Sequence, residues 1–271
     1  GSMSLKEHMS NPMQIFSRLL IVVLLLVPYI IFQRKKLSIY IGKMPLFIAF
    51  IVSFPIYVLL FTVSVNAIKV ANAFFYIFIA TTFTSYIIGN IFFQEKINTK
   101  EIIVSLLLAI GLLSFMFPFN KGQSVFGIMA GLLSGIAWGI SNATRKYYDG
   151  KIDRWLVIFL QMLVGSVLGF VLAVGNKSFY LTNWNLQASI ILFFYATGNI
   201  LVQYLLFIGL KNFNLNLSSI VLASQLVFVV IVGIFFLGEF PTQNELFGAI
   251  LVSVAIMLSN QNNIFKIRSI T

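Results

Sequence analysis

Polar side chains interrupt several long apolar stretches of this chain, and hydrogen bonding is the chemistry that they offer. Tyr195, Asn199 and Gln203 follow one another at a spacing of four residues, which places them on one face of a helix. The full set of predicted substrate-binding residues adds Trp138, Asn142, Tyr76, Thr81 and Gln225. A cavity with this lining suits a neutral, zwitterionic or aromatic solute, because it offers hydrogen bonds and little net charge. Hydrogen bonding between helices is the competing explanation for each of these residues.

Titratable groups are almost absent from the apolar stretches. All acidic residues lie at the ends of the stretches or between them: Glu7, Glu95, Glu101, Asp149, Asp153, Glu239 and Glu245. The only histidine is His8, near the N-terminus, and the chain has no cysteine. Without a central acid, histidine or thiol, the stretches supply neither a catalytic dyad nor a metal site, so an enzyme is disfavoured and no cofactor is expected. A carrier driven by protonation of a buried carboxylate is disfavoured for the same reason.

The elements that must position these side chains are membrane-spanning helices. The chain has 59% hydrophobic residues, 9% charged residues and a mean hydropathy of +0.98. Its apolar stretches lie near residues 11–31, 44–66, 71–93, 102–116, 125–145, 155–175, 188–210, 215–237 and 246–260. A helix of about 20 residues spans about 30 Å, the thickness of the hydrocarbon core, and the continuous hydrophobicity argues against a barrel. The predicted fold class is therefore an all-α polytopic membrane protein.

A repeat relates the two halves of the chain. Glu239 follows Glu95, and Glu245 follows Glu101, by the same 144 residues. At this offset the last four apolar stretches coincide with the first four, while the stretch at 125–145 has no counterpart. We interpret the chain as a five-helix repeat whose first copy lacks its first helix. The predicted organisation is an N-terminal tag and tail (1–10), a first repeat with helices two to five (11–118), a complete second repeat (125–262) and a C-terminal tail (263–271).

The basic residues predict the topology. Of the 18 basic residues, 13 fall on one side when nine helices are threaded through a membrane, and the positive-inside rule makes that side cytoplasmic. The N-terminus is then outside, the C-terminus is cytoplasmic, and the two repeats have opposite orientations. Inverted repeats are typical of transporters with a site near the midplane and alternating access. The net charge of +11 is thus a topology signal, and nucleic acid is not an expected partner.

Several segments of the chain follow a common order. A glutamate closes the fourth helix of each half ("FFQEK" and "FFLGEFPT"), and a fifth helix of the kind "GAILVSVAIML" follows. Two further segments are "SNPMQIFSRLLIVVLLL" and "GIMAGLLSGIAWGISNATRKYY". Together these segments resemble the drug/metabolite transporter superfamily, in its EamA-like branch. This resemblance implies a ten-helix exporter or exchanger of amino acids, nucleotide-linked metabolites, cofactors or amphipathic compounds in the cell membrane. A facilitator fits the same residues. The alternative is a membrane protein of this fold that does not transport, such as a sensor or an assembly partner.

Other residues predict packing and gating. Gly127, Gly131, Gly135 and Gly139 form a stripe that would let another helix approach closely. Glu95, Glu239, Arg18, Arg145 and Pro55 are assigned gating or structural roles, with Arg145 as a cation that reaches to the membrane surface. Pro55 and Asn199 occupy equivalent positions in the two repeats, so both helices are predicted to be interrupted there and to expose backbone groups to a solute.

The unmatched first helix has a consequence for the predicted cavity. We expect a lateral opening where that helix would lie, and exposed polar groups are costly in hydrocarbon. Lipid headgroups, detergent, water or a second protomer would fill the opening, and a second protomer would make the protein a homodimer. The expected partners are therefore the lipid bilayer, a small-molecule substrate and another copy of the chain.

Overall fold

All regular secondary structure is helical in the residues that the computed structural model describes. These are residues 10–33, 41–68, 70–95, 98–116, 124–178, 186–212, 214–232, 235 and 241–268. The helices are α1 (Asn11–Gln33), α2 (Met44–Ala67), α3 (Val70–Phe93), α4 (Thr99–Met116), α5 (Val125–Tyr148), α6 (Arg154–Gly175), α7 (Leu186–Asn212), α8 (Leu215–Leu222), α9 (Gln225–Val232) and α10 (Gln243–Arg268). Continuous apolar sequence forms helices here because hydrocarbon offers no hydrogen-bond partners, so the backbone N–H and C=O groups must pair with one another within the helix.

Among the described residues, six helices are long and apolar enough to cross a membrane. They are α1, α2, α3, α5, α6 and α7, and α10 contains a shorter apolar helix at Gln243–Ser259. The prediction of an all-α polytopic membrane protein is confirmed.

The helices separate into two compact units, and each unit contains helices from both halves of the sequence. The first unit comprises the described residues of Gly1–Thr62 and Ile140–Asn212. In it, α1 lies along α6, where Gly165 and Gly169 leave room for its side chains. A Cβ at Gly165 would lie 2.6 Å from the side chain of Leu19, and one at Gly169 would lie 2.8 Å from the backbone nitrogen of Phe16. Helix α7 also packs against α1, with Leu192 and Ala188 in one cluster with Met13.

The second unit comprises the described residues of Val63–Gly139 and Phe213–Thr271. Its core is a cluster of apolar side chains from α3, α4, α8 and α10, including Phe78, Leu112, Ile220 and Val252. Helices α4 and α10 approach closely at Gly111, where an added Cβ would lie 3.0 Å from Val252. In a membrane these side chains stabilise the unit by van der Waals packing, because lipid tails are as apolar as the side chains themselves.

The structure corrects the predicted helix interruptions. Helix α2 continues through Pro55, and α7 continues through Asn199. A proline removes only one backbone hydrogen bond from a helix. A full break would leave several backbone groups unpaired in hydrocarbon, so a continuous helix is the more stable arrangement. The predicted single span at 215–237 is instead broken between α8 and α9. The amides of Ala223 and Ser224 donate to carbonyls three residues back, at 3.1 and 3.0 Å, which ends the first piece.

Candidate functional site

A buried arginine lies in the first unit, near the C-terminal end of α5. Arg145 is fully buried, and its Nη2 donates to Oε1 of Gln161 on α6 at 3.3 Å. Its guanidinium lies 5.2 Å from the ring centre of Phe54 on α2 and 5.5 Å from that of Phe207 on α7. The interpretation of Arg145 as a cation reaching to the membrane surface is therefore wrong. The C-terminal end of a helix favours a cation, and the aromatic faces add to that stabilisation.

Gln161 connects three helices around this arginine. Its Oε1 accepts from Arg145, and its Nε2 donates to the backbone oxygen of Phe50 on α2 at 2.7 Å. The carbonyl of Phe50 lies in the turn that precedes Pro55. A proline leaves the carbonyl four residues before it, here that of Ile51, without its helical donor, and the carbonyl of Phe50 is next to it in the sequence. Gln161 thus bonds to the backbone about one turn before Pro55, in a helix that stays continuous.

Three buried or half-buried amides lie in the same unit with hydrogen-bonding atoms unused by the described residues. Asn142 on α5 is 1% exposed, and neither Oδ1 nor Nδ2 of its amide has a hydrogen-bond partner within the described part of the chain. On α7, Oδ1 of Asn199 and Oε1 of Gln203 are buried and equally unpartnered among those residues. A buried polar atom without a partner costs about 1–3 kcal/mol, so most native structures pair such atoms with protein, water or ligand.

Helical geometry places two of these amides at one level of the unit. Arg145 faces Phe207, and Asn142 precedes Arg145 by three residues while Gln203 precedes Phe207 by four. Helices α5 and α7 run in the same direction, because the chain reverses once into α6 and once out of it. Asn142 and Gln203 therefore both lie about one turn, or about 5 Å, from the arginine toward the start of their helices.

A second arginine contacts the same face of α7. The guanidinium of Arg18 on α1 lies 4.7 Å from the ring centre of Tyr195, and its Nη2 donates to Oε1 of Gln14 at 2.9 Å. The hydroxyl of Tyr195 accepts from Nδ2 of Asn199 at a long 3.4 Å. Tyr195 and Asn199 thus lie on one helix face, as their spacing predicts.

The remaining predicted binding residues belong to the second unit. Trp138 is 6% exposed, and Tyr76 is half-buried. The hydroxyl of Thr81 is buried and donates to the backbone oxygens of Ile77 and Gly135, so it is used in packing α3 against α5. Gln225 is exposed at the start of α9.

The glycine stripe on α5 lies against α3 and the end of α2. A Cβ on Gly127 would lie 2.8 Å from Ala67, and one on Gly139 would lie 2.7 Å from Thr84. At Gly131 it would lie 2.9 Å from Oγ of Ser64, and at Gly135 it would overlap the backbone oxygen of Ile77. No side chain fits at these positions without displacing backbone or a neighbouring side chain.

The repeated glutamates Glu95 and Glu245 both cap a helix. Glu95 is 9% exposed and its Oε1 accepts from the backbone nitrogen of Leu215 at 2.9 Å. The carboxylate therefore caps the N-terminal end of α8, where the free amides and the helix dipole favour negative charge. Its counterpart Glu239 lies outside the described residues. Glu245 caps α10, because its Oε2 accepts from the amide of Thr242 at 2.8 Å.

Sequence reasoning missed Gln161, which no repeat or spacing distinguishes. Its position as a polar residue within an apolar stretch was the only sign in the sequence that Gln161 has a specific role. Its contacts with Arg145 and Phe50 show what that role is. Among the described residues, no group of three or more His, Cys, Asp or Glu side chains could hold a metal ion.

Comparison with known proteins gives one family and one fold. The model of the EamA-like transporter family matches residues 125–261, just over half of the chain. An uncharacterized transporter of Archaeoglobus fulgidus is 23% identical over 63% of this chain and 60% of its own length. The uncharacterized transporter YvbV of Bacillus subtilis is 26% identical over 52% of this chain and 47% of its own length. This chain therefore aligns with about half to three fifths of these relatives.

A solved structure, described as a crystal structure of a protein, has the same fold. It superimposes with a TM-score of 0.72 and covers 92% of this chain and 87% of that chain, at 11% sequence identity. At this identity the likeness concerns the arrangement of helices alone.

Proposed function

Because the chain belongs to the EamA-like transporter family, we propose that it moves small metabolites across the cell membrane by alternating access. The proposed solutes are amino acids and other neutral, zwitterionic or aromatic compounds. The protein acts as an exporter, a facilitator or an exchanger, since no acidic residue of the sequence lies within an apolar stretch to couple transport to protonation.

The observation that carries this proposal is the amide of Asn142. Its donor and its acceptor are both buried, and both lack partners among the described residues. A residue retained for packing would be expected to use at least one of them, because an unpaired amide destabilises the folded state. A solute that both donates and accepts hydrogen bonds would complete it.

The neighbouring groups support the solute class. Oδ1 of Asn199 and Oε1 of Gln203 provide acceptors for an ammonium or hydroxyl group. Arg145 supplies positive charge about one turn away, and a carboxylate is the simplest group that complements it. Phe54 and Phe207 beside the arginine offer apolar contact for the rest of the solute. A multiply charged solute is disfavoured, since the groups proposed to bind it next to Arg145 are neutral amides.

Proposed topology follows from the loop charges, with the N-terminus outside and the C-terminus in the cytoplasm. A cysteine introduced at Lys43, between the first two helices, should resist an impermeant thiol reagent in intact cells and react after permeabilisation. A cysteine at Lys177, between α6 and α7, should react in intact cells. The absence of native cysteine removes background labelling. Labelling in the opposite order would show the reverse orientation.

The solute site is tested by ligand-dependent thermal stability of the purified protein across a panel of metabolites. A solute that binds the folded state raises the melting temperature with its concentration. Asn142→Leu and Gln203→Leu should abolish that rise and the matching flux in proteoliposomes. Thr197→Val on α7 is the matched control, because its hydroxyl donates only to carbonyls of its own helix, at 3.0 and 3.1 Å.

The outcomes separate the site from the activity. Full solute-dependent stabilisation in both leucine variants would place binding elsewhere in the protein. Binding without flux in the unchanged chain would favour a sensor or an assembly partner over a transporter.

A further inference from the structure

An apolar groove lies between α1 and α7 in the first unit. Its volume is about 460 Å³, and it is lined by Ile21, Ser189, Ile190, Leu192, Phe193 and Phe194. Ile190 is 45% exposed and Phe194 is 71% exposed, so the groove opens at the surface of the unit. Five of the six lining residues are apolar, which fits a hydrocarbon chain better than a polar metabolite.

A cation with an unused donor lies beside this groove. Arg18 precedes Ile21 by three residues on α1, and Tyr195 follows Leu192 by three on α7, so both belong to the faces that form the groove. Nε of Arg18 is buried and has no hydrogen-bond partner in the described part of the chain. Its Nη2 is bonded to Gln14, whose amide is neutral, so this hydrogen bond does not offset the charge of the guanidinium.

The depth of this guanidinium agrees with that of a lipid headgroup. Helices α1 and α7 begin at the same membrane face, since Met13 packs against Ala188 and Leu192, and Ser10 donates to the carbonyl of Ser178. The side chain of Arg18 reaches back to Gln14, which lies three residues, or about 4.5 Å, from the start of α1. Helix α1 has 23 residues and is about 34 Å long, so this level is close to the boundary of the hydrocarbon core.

We propose that this groove binds one phospholipid, with the phosphate on Arg18 and an acyl chain between α1 and α7. The phosphate accepts from the guanidinium of Arg18 and offsets its positive charge at the edge of the hydrocarbon. The acyl chain runs from that level toward the middle of the membrane, past Ile21 and Ile190. A lipid bound in this way fixes α7, which also carries Asn199 and Gln203.

The test uses the delipidated full chain in detergent, titrated with phosphatidylglycerol and measured by native mass spectrometry. One saturable lipid adduct per chain is expected. Arg18→Gln should weaken binding by about tenfold or more, because it removes a charge-assisted hydrogen bond. Ile190→Trp should weaken lipid binding by a similar factor, because the larger side chain would occupy the groove. Ile190 is partly exposed, so the change should leave the packing of the unit intact.

Matched controls lie at exposed positions away from the groove. Lys211→Gln removes a charge from the other end of α7, and Val167→Trp adds the same bulk to an exposed position of α6. Both should bind phosphatidylglycerol as the unchanged chain does. Diacylglycerol, which has the same acyl chains and no phosphate, should bind about tenfold more weakly.

A second measurement needs no variant. Phosphatidylglycerol with a photoreactive acyl chain should cross-link to α1 near Ile21 and to α7 near Ile190 and Phe194. The proposal would be overturned if Arg18→Gln and Ile190→Trp bound phosphatidylglycerol with the affinity of the unchanged chain, or if diacylglycerol bound as tightly as phosphatidylglycerol. Cross-links confined to other helices would also overturn it. Conversion of a dimer to a monomer by Ile190→Trp would also overturn it, since a second copy would then occupy the groove.

Discussion

The interiors of the two units treat polar groups differently. In the second unit, Ser64 donates to the backbone oxygen of Gly127, and Glu95 accepts from the amide of Leu215. The buried atoms left without a partner there, among the described residues, are the hydroxyl oxygens of Thr82 and Ser85. In the described part of the first unit, neither atom of the Asn142 amide has a hydrogen-bond partner. Polar groups of the second unit hold helices together, whereas those of the first include amide atoms without a partner among the described residues, which we propose bind a solute.

Glycine has the same use in both units. In the second unit it brings α5 against α3, and in the first it brings α6 against α1 at Gly165 and Gly169. Close approach of helices is therefore a general solution in this fold, and it does not distinguish a solute site from a packing interface. The unused amides make that distinction, and variants can test it.

The largest effect is expected at Gly135 in the second unit. Gly135→Leu should lower the free energy of unfolding by about 1–3 kcal/mol or more, because the new Cβ would overlap the backbone oxygen of Ile77. Gly198→Leu on α7 is the control, since nothing lies within 4 Å of a Cβ at that position. Thermal unfolding in detergent measures both. Equal melting temperatures for the two variants would show that the helices around Gly135 separate without penalty.

A smaller loss of stability is expected at the capping carboxylate. Glu95→Ala should cost about 1–2 kcal/mol, because a buried amide at the start of α8 loses its charged acceptor. Glu245→Ala removes a cap of the same chemistry from a more exposed helix end and should cost about half as much. The same unfolding assay compares them, and a greater loss at Glu245 would contradict the structural role of Glu95.

The most discriminating effect is a small one of opposite sign in the two units. Asn142→Leu should raise the free energy of unfolding by about 1 kcal/mol in the absence of solute, since it removes an unpaired buried amide. Thr81→Val should lower it by about 0.5–1 kcal/mol, since it removes a hydroxyl with two acceptors. Destabilisation by both changes would mean that the amide of Asn142 is part of the packing.

Sequence reasoning succeeded where the determinant was local. Helix positions follow from apolar length, and the close approach of another helix to α5 follows from the absence of side chains at Gly135 and Gly139. It failed where the determinant was a contact distant in sequence. The burial of Arg145 depends on Gln161 and Phe207, and neither partner is marked by the spacing of residues along the chain. The break after Leu222 contains neither glycine nor proline, so composition gave no signal.

The bond between Glu95 and Leu215 sets an order of events during biosynthesis. Its two residues are 120 positions apart, and synthesis at about 5–20 residues per second separates their appearance by roughly 6–24 seconds. During that interval the carboxylate has already been made, while the helix end that it will cap does not yet exist. A charged group left in hydrocarbon for seconds would oppose insertion, so Glu95 must wait in water at the membrane surface. The hydrogen bond that holds this carboxylate can therefore form only after residue 215 has been translated.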